Sequence, residues 1–321
     1  MTLRLFRACS TGLLLVMLTA CASPSSTRAA ADAARDTPYL YVLGTAQDGG
    51  YPQAGCFKPH CMPGWEHEEL RHPVVSLGLI DPQARVKYLF EATPDFPHQY
   101  YQLEQEAPAA QYAFGGVFVT HAHIGHYVGL MHFGHEAMGA KDVPVFAMPR
   151  MRGFLTDNGP WSQLVKYGNI ALKPLEAGVP VVLGALSVTP LRVPHRDEYS
   201  ETVGFVIRGP HKSALFIPDI DVWEKWDRDL AEVLKTVDYA LVDATFYSMD
   251  ELPGRDMSKV PHPLAQHTMA LLKDQPASER AKVWFIHMNH GNPLLWADSA
   301  QSRIVRDNGF NIAREGLRLP L

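Results

Sequence analysis

Four short apolar runs in the second half of the chain each lead into a lone histidine or aspartate. This recurrence constrains the fold more than any other feature. His195 follows residues 186–194, a roughly alternating stretch. Asp219 follows Ala214-Leu215-Phe216-Ile217 and Pro218, Asp243 follows Tyr239-Ala240-Leu241-Val242, and His287 follows Val283-Trp284-Phe285-Ile286. Runs of this length and composition read as buried strands. An open α/β sheet assembles its site from residues at strand ends. An aspartate alone after a strand is more often a turn residue or helix cap; the ordered set points to a site.

An earlier segment belongs to the same set. Thr120-His121-Ala122-His123-Ile124-Gly125-His126 places three imidazoles within six residues, directly after Gly116-Val117-Phe118-Val119. Imidazole is the commonest side-chain ligand for a metal such as Zn²⁺. Residues i and i+2 of an extended segment point the same way. His121 and His123 can therefore share one ion, while His126, past the turn, can reach a second.

In their order these residues resemble the metallo-β-lactamase superfamily, whose signature is His-x-His-x-Asp-His, then a single His, a single Asp and a final His. The matching positions are His121, His123, His126, His195, Asp219 and His287. Asp243, and His262 in Val260-Pro261-His262-Pro263, look like two further positions of the phosphodiesterase-like branches. Residues 43–56, 193–204 and 285–294 are similar to the branch of pyrroloquinoline-quinone biosynthesis B proteins. The resemblance runs from about Tyr39 to the end of the chain.

The resemblance implies an α/β fold, a four-layer αββα sandwich with the site along one edge of two sheets. It implies metal ligation by His121, His123 and His195 at one position, and by His126 and His287 at a second. Asp219 would bridge them. Asp219, Asp243 and His262 are the expected catalytic residues: Asp219 orienting the nucleophile, the other two donating to ligands or protonating a leaving group. One or two Zn²⁺ ions are the expected cofactor; His and Asp spheres also suit Fe²⁺ or Mn²⁺.

The chain departs from the signature at Gly125, which stands where the family has a second-metal aspartate. The first position keeps its three protein ligands; the second is expected to be weak, absent or helped by Asp197, Glu198 or Asp48. Aspartate restored at 125 should raise second-metal occupancy unless another residue already fills that role.

These features point to a metal-dependent hydrolase acting on an ester, lactone, amide or phosphodiester. One alternative is iron-dependent oxidation related to quinone-cofactor biosynthesis; another is a non-catalytic metal- or ligand-binding lipoprotein. The 321 residues, 46% hydrophobic and 20% charged, make an ordinary globular composition. The net charge of −5 comes without a Lys/Arg block, which argues against a nucleic-acid partner. A small-molecule substrate is expected; the sequence does not specify an oligomeric state.

The N-terminus reads as targeting sequence. Arg4 and Arg7 precede a short apolar stretch at 12–18. Leu18-Thr19-Ala20-Cys21 resembles a bacterial lipobox, which gives a signal peptide at 1–20 and membrane attachment through lipidated Cys21; a plain secretory signal is the alternative. Residues 21–37 have the composition of a flexible tether, and 38–321 form the expected metallo-β-lactamase-like domain. Ala22 favours the outer membrane by resemblance to lipoprotein sorting rules, so the domain is expected to face the periplasm. Cys56 and Cys61 then remain. A disulfide, a small zinc site completed by His60 or His67, or a reduced pair are all open.

Strands are expected at 39–45, 74–80, 86–90, 143–147, 179–183, 186–193 and 203–207. Helices are expected at 96–106, 129–139, 151–167, 223–236, 262–273 and 300–308. His132 and His135 lie outside the expected ligand set. His290 is expected beside it, and Asn289 and Asn292 as loop-fixing groups.

Overall fold

The computed structural model describes residues 1–2, 37–252, 254, 256 and 260–321. The signal peptide, lipidated Cys21 and tether expected from the sequence lie outside the described residues, apart from Met1, Thr2 and Thr37. Within 36–321 the chain forms one unit. Among the described residues no helix is long and apolar enough to cross a membrane.

Among the described residues, fourteen strands form two seven-stranded sheets. Those of the first are β1 (Tyr39–Gly44), β2 (Ser76–Asp81), β3 (Val86–Phe90), β4 (Ala113–Phe118), β5 (Val143–Ala147), β6 (Ile170–Pro174) and β14 (Arg318–Pro320). Those of the second are β7 (Val181–Leu183), β8 (Leu186–Arg192), β9 (Val203–Arg208), β10 (Ser213–Ile217), β11 (Tyr239–Asp243), β12 (Val283–Ile286) and β13 (Asn311–Ile312). The orders are β14-β1-β2-β3-β4-β5-β6 and β13-β12-β11-β10-β9-β8-β7. Pairing is parallel from β3 to β6 and from β10 to β13, and antiparallel elsewhere.

Strand alternation sorts the side chains into three apolar layers. Between the sheets lie Leu77, Leu79, Phe90 and Phe118 from one, with Phe205, Phe216, Leu241 and Ile286 from the other. Phe118 stacks on Phe90 at 5.1 Å and on Phe146 at 4.2 Å between ring centres. The intervening residues face outward. Val117, Val119 and Val145 meet Phe96, Leu103, Met151 and Leu155 on one side. Leu215, Ile217, Val242 and Phe285 meet Trp223, Leu230, Leu234 and Val305 on the other. Helix, sheet, sheet, helix is the expected four-layer αββα sandwich.

Several helices are shorter than expected. Residues 151–167 hold two, Pro149–Asp157 and Trp161–Lys166, parted by Asn158-Gly159-Pro160. Proline removes a backbone donor, and the residue before it is pushed out of the helical region. Residues 129–139 contain only the 3₁₀ turn Val128–Phe133. A side chain at Gly129 would meet the Thr93 carbonyl at 2.4 Å, so the glycine serves close approach. Residues 223–236 hold the turn Trp223–Lys225 and the helix Leu230–Leu234, whose first amides bond to the Asp229 side chain. The 262–273 helix is Ala265–Leu271. The helices Phe96–Glu106 and Ala300–Asp307 match expectation. Strands β6, β13 and β14 were not legible as strands; they are short and carry little alternation.

Candidate metal centre

The carboxyl ends of β4, β10, β11 and β12 and the loop after β8 converge on one rim of the sandwich. Thr120 to His126 leave β4, His195 follows β8, Asp219 follows β10, Asp243 ends β11 and His287 follows β12. His287 takes a left-handed backbone, φ 65°, a conformation rare for a non-glycine residue and concentrated at functional sites.

Three overlapping groups of donor atoms share Asp219. His121, His123, His195 and Asp219 form one and Asp48, His126, Asp219 and His287 a second; Asp219, Asp243, His262 and His287 form a third. Within each group the donor atoms lie within 4.8 Å of one another. Asp219 stands between the groups: Oδ1 is 3.4 Å from His195 Nε2, and Oδ2 is 3.4 Å from His121 Nε2 and 3.0 Å from His126 Nε2. His121 Nε2 and His123 Nδ1 are 2.8 Å apart.

Each ring's opposite nitrogen faces a polar group outside the cluster, by hydrogen bond for His121, His123 and His287 and by proximity to a carboxylate for His126 and His195. His121 Nδ1 meets Thr120 Oγ1 at 2.8 Å, and His123 Nε2 meets Glu198 at 3.0 Å. His126 Nδ1 meets Glu91 at 3.3 Å, His195 Nδ1 meets Asp221 at 3.5 Å, and His287 Nδ1 meets Thr245 Oγ1 at 2.8 Å. The Thr245 hydroxyl donates to Asp243 Oδ1, so it accepts from His287 Nδ1–H. In the neutral ring this leaves the Nε2 lone pair facing the cluster. His195 Nε2, His287 Nε2 and Asp219 Oδ1 are buried without a hydrogen-bond partner among the described residues. Buried polar atoms are costly unless satisfied, and a cation would satisfy all three. The residues fit a metal.

Electrostatics agree. Burial opposes charge on His126, but hydrogen bonds to Asp219, Asp48 and Glu91 hold its pKa well above the ordinary value. Burial likewise opposes charge on His287, yet Asp219, Asp243 and Asp48 raise it to about 10. Burial would also raise Asp219, but the imidazoles of His287 and His195 hold it well below the usual carboxylate range. The site is a concentration of negative charge that draws a positive partner. Burial lowers the pKa of His121 and His195, which favours the neutral, ligating ring.

Asp243 is fully buried and touches His262 rather than open space. Its Oδ2 lies 2.9 Å from His262 Nδ1 and accepts from Ile220 N–H. His262 Nδ1 is also 3.2 Å from Asp219 Oδ1. His262 lines a cleft of about 840 Å³ together with His123, Arg196, Tyr199, Phe246 and His290. Asn289 bonds to Gln47, and Asn292 to the carbonyls of Ala244 and Thr245, as loop-fixing groups.

Of the three carboxylates considered for the second position, Asp48 reaches the cluster. Glu198 braces His123 from outside, and Asp197 accepts from the Thr202 hydroxyl. His132 stacks on Phe96 and His135 packs on Tyr167, both outside these groups. Cys56 and Cys61 form a disulfide with Cα atoms 6.0 Å apart. His60 and His290 stand beside it, and His67 pairs instead with Glu69. The sequence reading missed Glu91 and Asp221. Glu91 directly follows β3, so the strand-end rule that marks Asp243 applies to it equally.

Paired mixed sheets clad in helices, with a His/Asp cluster on their shared rim, define a protein of the metallo-β-lactamase fold. The chain belongs to the β-lactamase superfamily: the model described as Beta-lactamase superfamily domain matches residues 87–288. Its relatives include coenzyme PQQ synthesis protein B of Methylobacterium sp., 27% identical over 305 residues, covering 87% of this chain and 99% of the relative. The Klebsiella pneumoniae protein of the same name is 23% identical, covering 88% and 98%. Among solved structures, Zn²⁺-bound PqqB from Methylobacterium extorquens superposes with a TM-score of 0.72 at 22% identity, covering 88% of this chain and 100% of that one. A diphosphatase from the PhnP family superposes at 0.61 and 19% identity, covering 88% and 97%.

Proposed function

We propose that this protein is a metal-dependent hydrolase of small esters, lactones or phosphodiesters. The observation that carries the reading is the convergence of five imidazoles on Asp219, with His195 Nε2, His287 Nε2 and Asp219 Oδ1 buried and unpartnered among the described residues. His121, His123 and His195 with Asp219 would hold one cation, and His126 and His287 with Asp219 would hold a second. A bound divalent cation supplies Lewis acidity, making water a nucleophile near neutral pH and polarising an acyl or phosphoryl oxygen. Zinc suits the donor set, and the Zn²⁺-bound PqqB structure supports that choice.

The chain's own groups divide the remaining work. Asp219, reached by imidazoles from both sides, orients the attacking oxygen. Burial disfavours charge on His262, but Asp243 beside it raises its pKa overall. With Nδ1 engaged by Asp243, Nε2 serves the cleft and delivers a proton to the leaving group. Asp243 is thus a positioning residue. Phe246 and Tyr199 give the cleft apolar walls.

The test is turnover by zinc-loaded full-length protein on a panel of aryl esters, lactones and phosphodiesters, with His262→Gln alongside. The expected result is hydrolysis of at least one class, with kcat reduced about 10²–10⁴-fold in the variant and metal content unchanged. A metal-loaded protein that turns over none would leave a binding protein on a catalytic fold. The 27% identity to coenzyme PQQ synthesis protein B favours a second reading, oxidation in quinone-cofactor chemistry with iron at the three-histidine position. Oxygen consumption by the iron-loaded protein, without hydrolysis by the zinc form, would select it.

The proposal includes export as a lipoprotein anchored at Cys21. The Cys56–Cys61 disulfide supports it, because disulfides persist in oxidising compartments. Cys21→Ala should move the protein from the membrane to the soluble fraction; unchanged fractionation would count against the anchor.

A further inference from the structure

The second position has an aspartate that the local sequence motif does not supply. Gly125 stands where the family signature carries a carboxylate, but the space beside it is filled. A Cβ built on Gly125 would lie 2.6 Å from Asp48 Cα, 2.7 Å from Asp48 Cβ and 2.7 Å from Asp48 Oδ1. These distances are shorter than real Cβ atoms adopt, so no side chain at 125 coexists with Asp48 where it stands. Asp48 Oδ1 lies 3.0 Å from His126 Nε2 and 3.5 Å from His287 Nε2. Its oxygen completes a four-donor group with Asp219, and His287 Nε2 is among the buried atoms without a hydrogen-bond partner.

The loop carrying Asp48 is built for this approach. It is tied to the site by Gln47 N–H, which donates to the Met288 carbonyl, and by Asn289, which donates to the Gln47 side chain. Gly50 then turns the chain away with φ +68°. A carboxylate delivered from this N-terminal loop needs an empty position 125, and Gly125 is that vacancy.

We propose that Asp48 is a ligand of the second metal position, replacing from a distant part of the chain the carboxylate absent at 125. The inference rests on the metal reading above and deepens it. It also reverses the sequence-based expectation for Gly125→Asp: the added side chain collides with Asp48 and lowers second-metal occupancy instead of raising it.

The experiment measures zinc per chain by mass spectrometry, after dialysis against graded chelator, for full-length protein, Asp48→Asn and Gly125→Ala. Asparagine keeps the shape and removes the charge. Alanine at 125 adds no donor and removes only the space Asp48 needs. Two zinc ions are expected in the parent protein. Both variants should keep the tighter ion and lose the weaker one at chelator concentrations at least about 100-fold lower, a loss beyond the 10–100-fold typical of an outer partner. The visible spectrum of the cobalt-loaded protein should lose the component of the weaker site alone. Two equally tight ions in Asp48→Asn would overturn the assignment while leaving the metal site standing. A parent protein with one ion, unchanged in Asp48→Asn, would also overturn it. A parent protein with no metal would overturn the metal reading itself.

Discussion

Replacing Glu91 by glutamine should weaken metal binding on the His126 side. The Glu91 carboxylate and the His126 ring are both fully buried, 3.3 Å apart. Between full unit charges, 332/(εr) at an effective dielectric of 20 gives about 5 kcal/mol at that distance, an upper bound. A ligating imidazole is neutral, so the carboxylate acts on the Nδ1–H dipole and the effect is smaller. Loss of such an outer partner typically costs 10–100-fold in metal affinity, or about 1.4–2.7 kcal/mol. Folding responds in the same direction. In metal-free protein Glu91 is one of the carboxylates that raise the pKa of the buried His126, so glutamine leaves an imidazolium there with one counter-charge fewer. Chelator competition should therefore show the weaker zinc ion released at 10–100-fold lower chelator, and the melting temperature of metal-free protein should not rise. Unchanged zinc affinity, or equal weakening of both ions, would refute the reasoning.

Other expectations follow from the same geometry. His121→Ala and His195→Ala should each sharply lower zinc content measured by mass spectrometry; full occupancy in both would mean the site is misplaced. Metal binding should release protons at pH 7.5, from His287 with its pKa of about 10 and from His126 with its raised pKa, measured by calorimetry in buffers of different ionisation enthalpy; no buffer dependence would contradict the raised pKa values. His287 also sets a stability trend. Its folded pKa of about 10 exceeds the ordinary 6.5, so in metal-free protein its contribution is full below about pH 6.5 and lost as pH rises through 10. Denaturant titration across pH 6–11 should show that loss, and His287→Gln should flatten it. Phe118→Ala empties a site closed by Phe90, Phe146 and Phe205 and should cost about 3–5 kcal/mol in denaturant unfolding.

The sheet and most of its rim were legible because strand alternation and a strand-end His or Asp are local patterns. Phe118 and Val119 predict the end of β4, and His121 follows at once. Helix lengths were less legible: Asn158-Gly159-Pro160 splits one segment, and Gly129 trades helical regularity for contact with the β3–α loop. Asp48 is the instructive case. Nothing in Ala46-Gln47-Asp48-Gly49-Gly50 marks this carboxylate out of the three considered. Its role depends on a three-dimensional overlap with the missing side chain of Gly125, which no periodicity encodes. Glu91, by contrast, satisfied the strand-end rule and needed only its wider application.

The central claim is that the rim cluster holds metal. Anomalous diffraction from crystals of the zinc-loaded protein, measured on both sides of the zinc absorption edge, tests it directly. The expected map has a peak among His121, His123, His195 and Asp219, and a second among Asp48, His126, Asp219 and His287. A map with no peak at either place in zinc-replete crystals would contradict the claim, even with zinc bound beside Cys56, His60, Cys61 and His290.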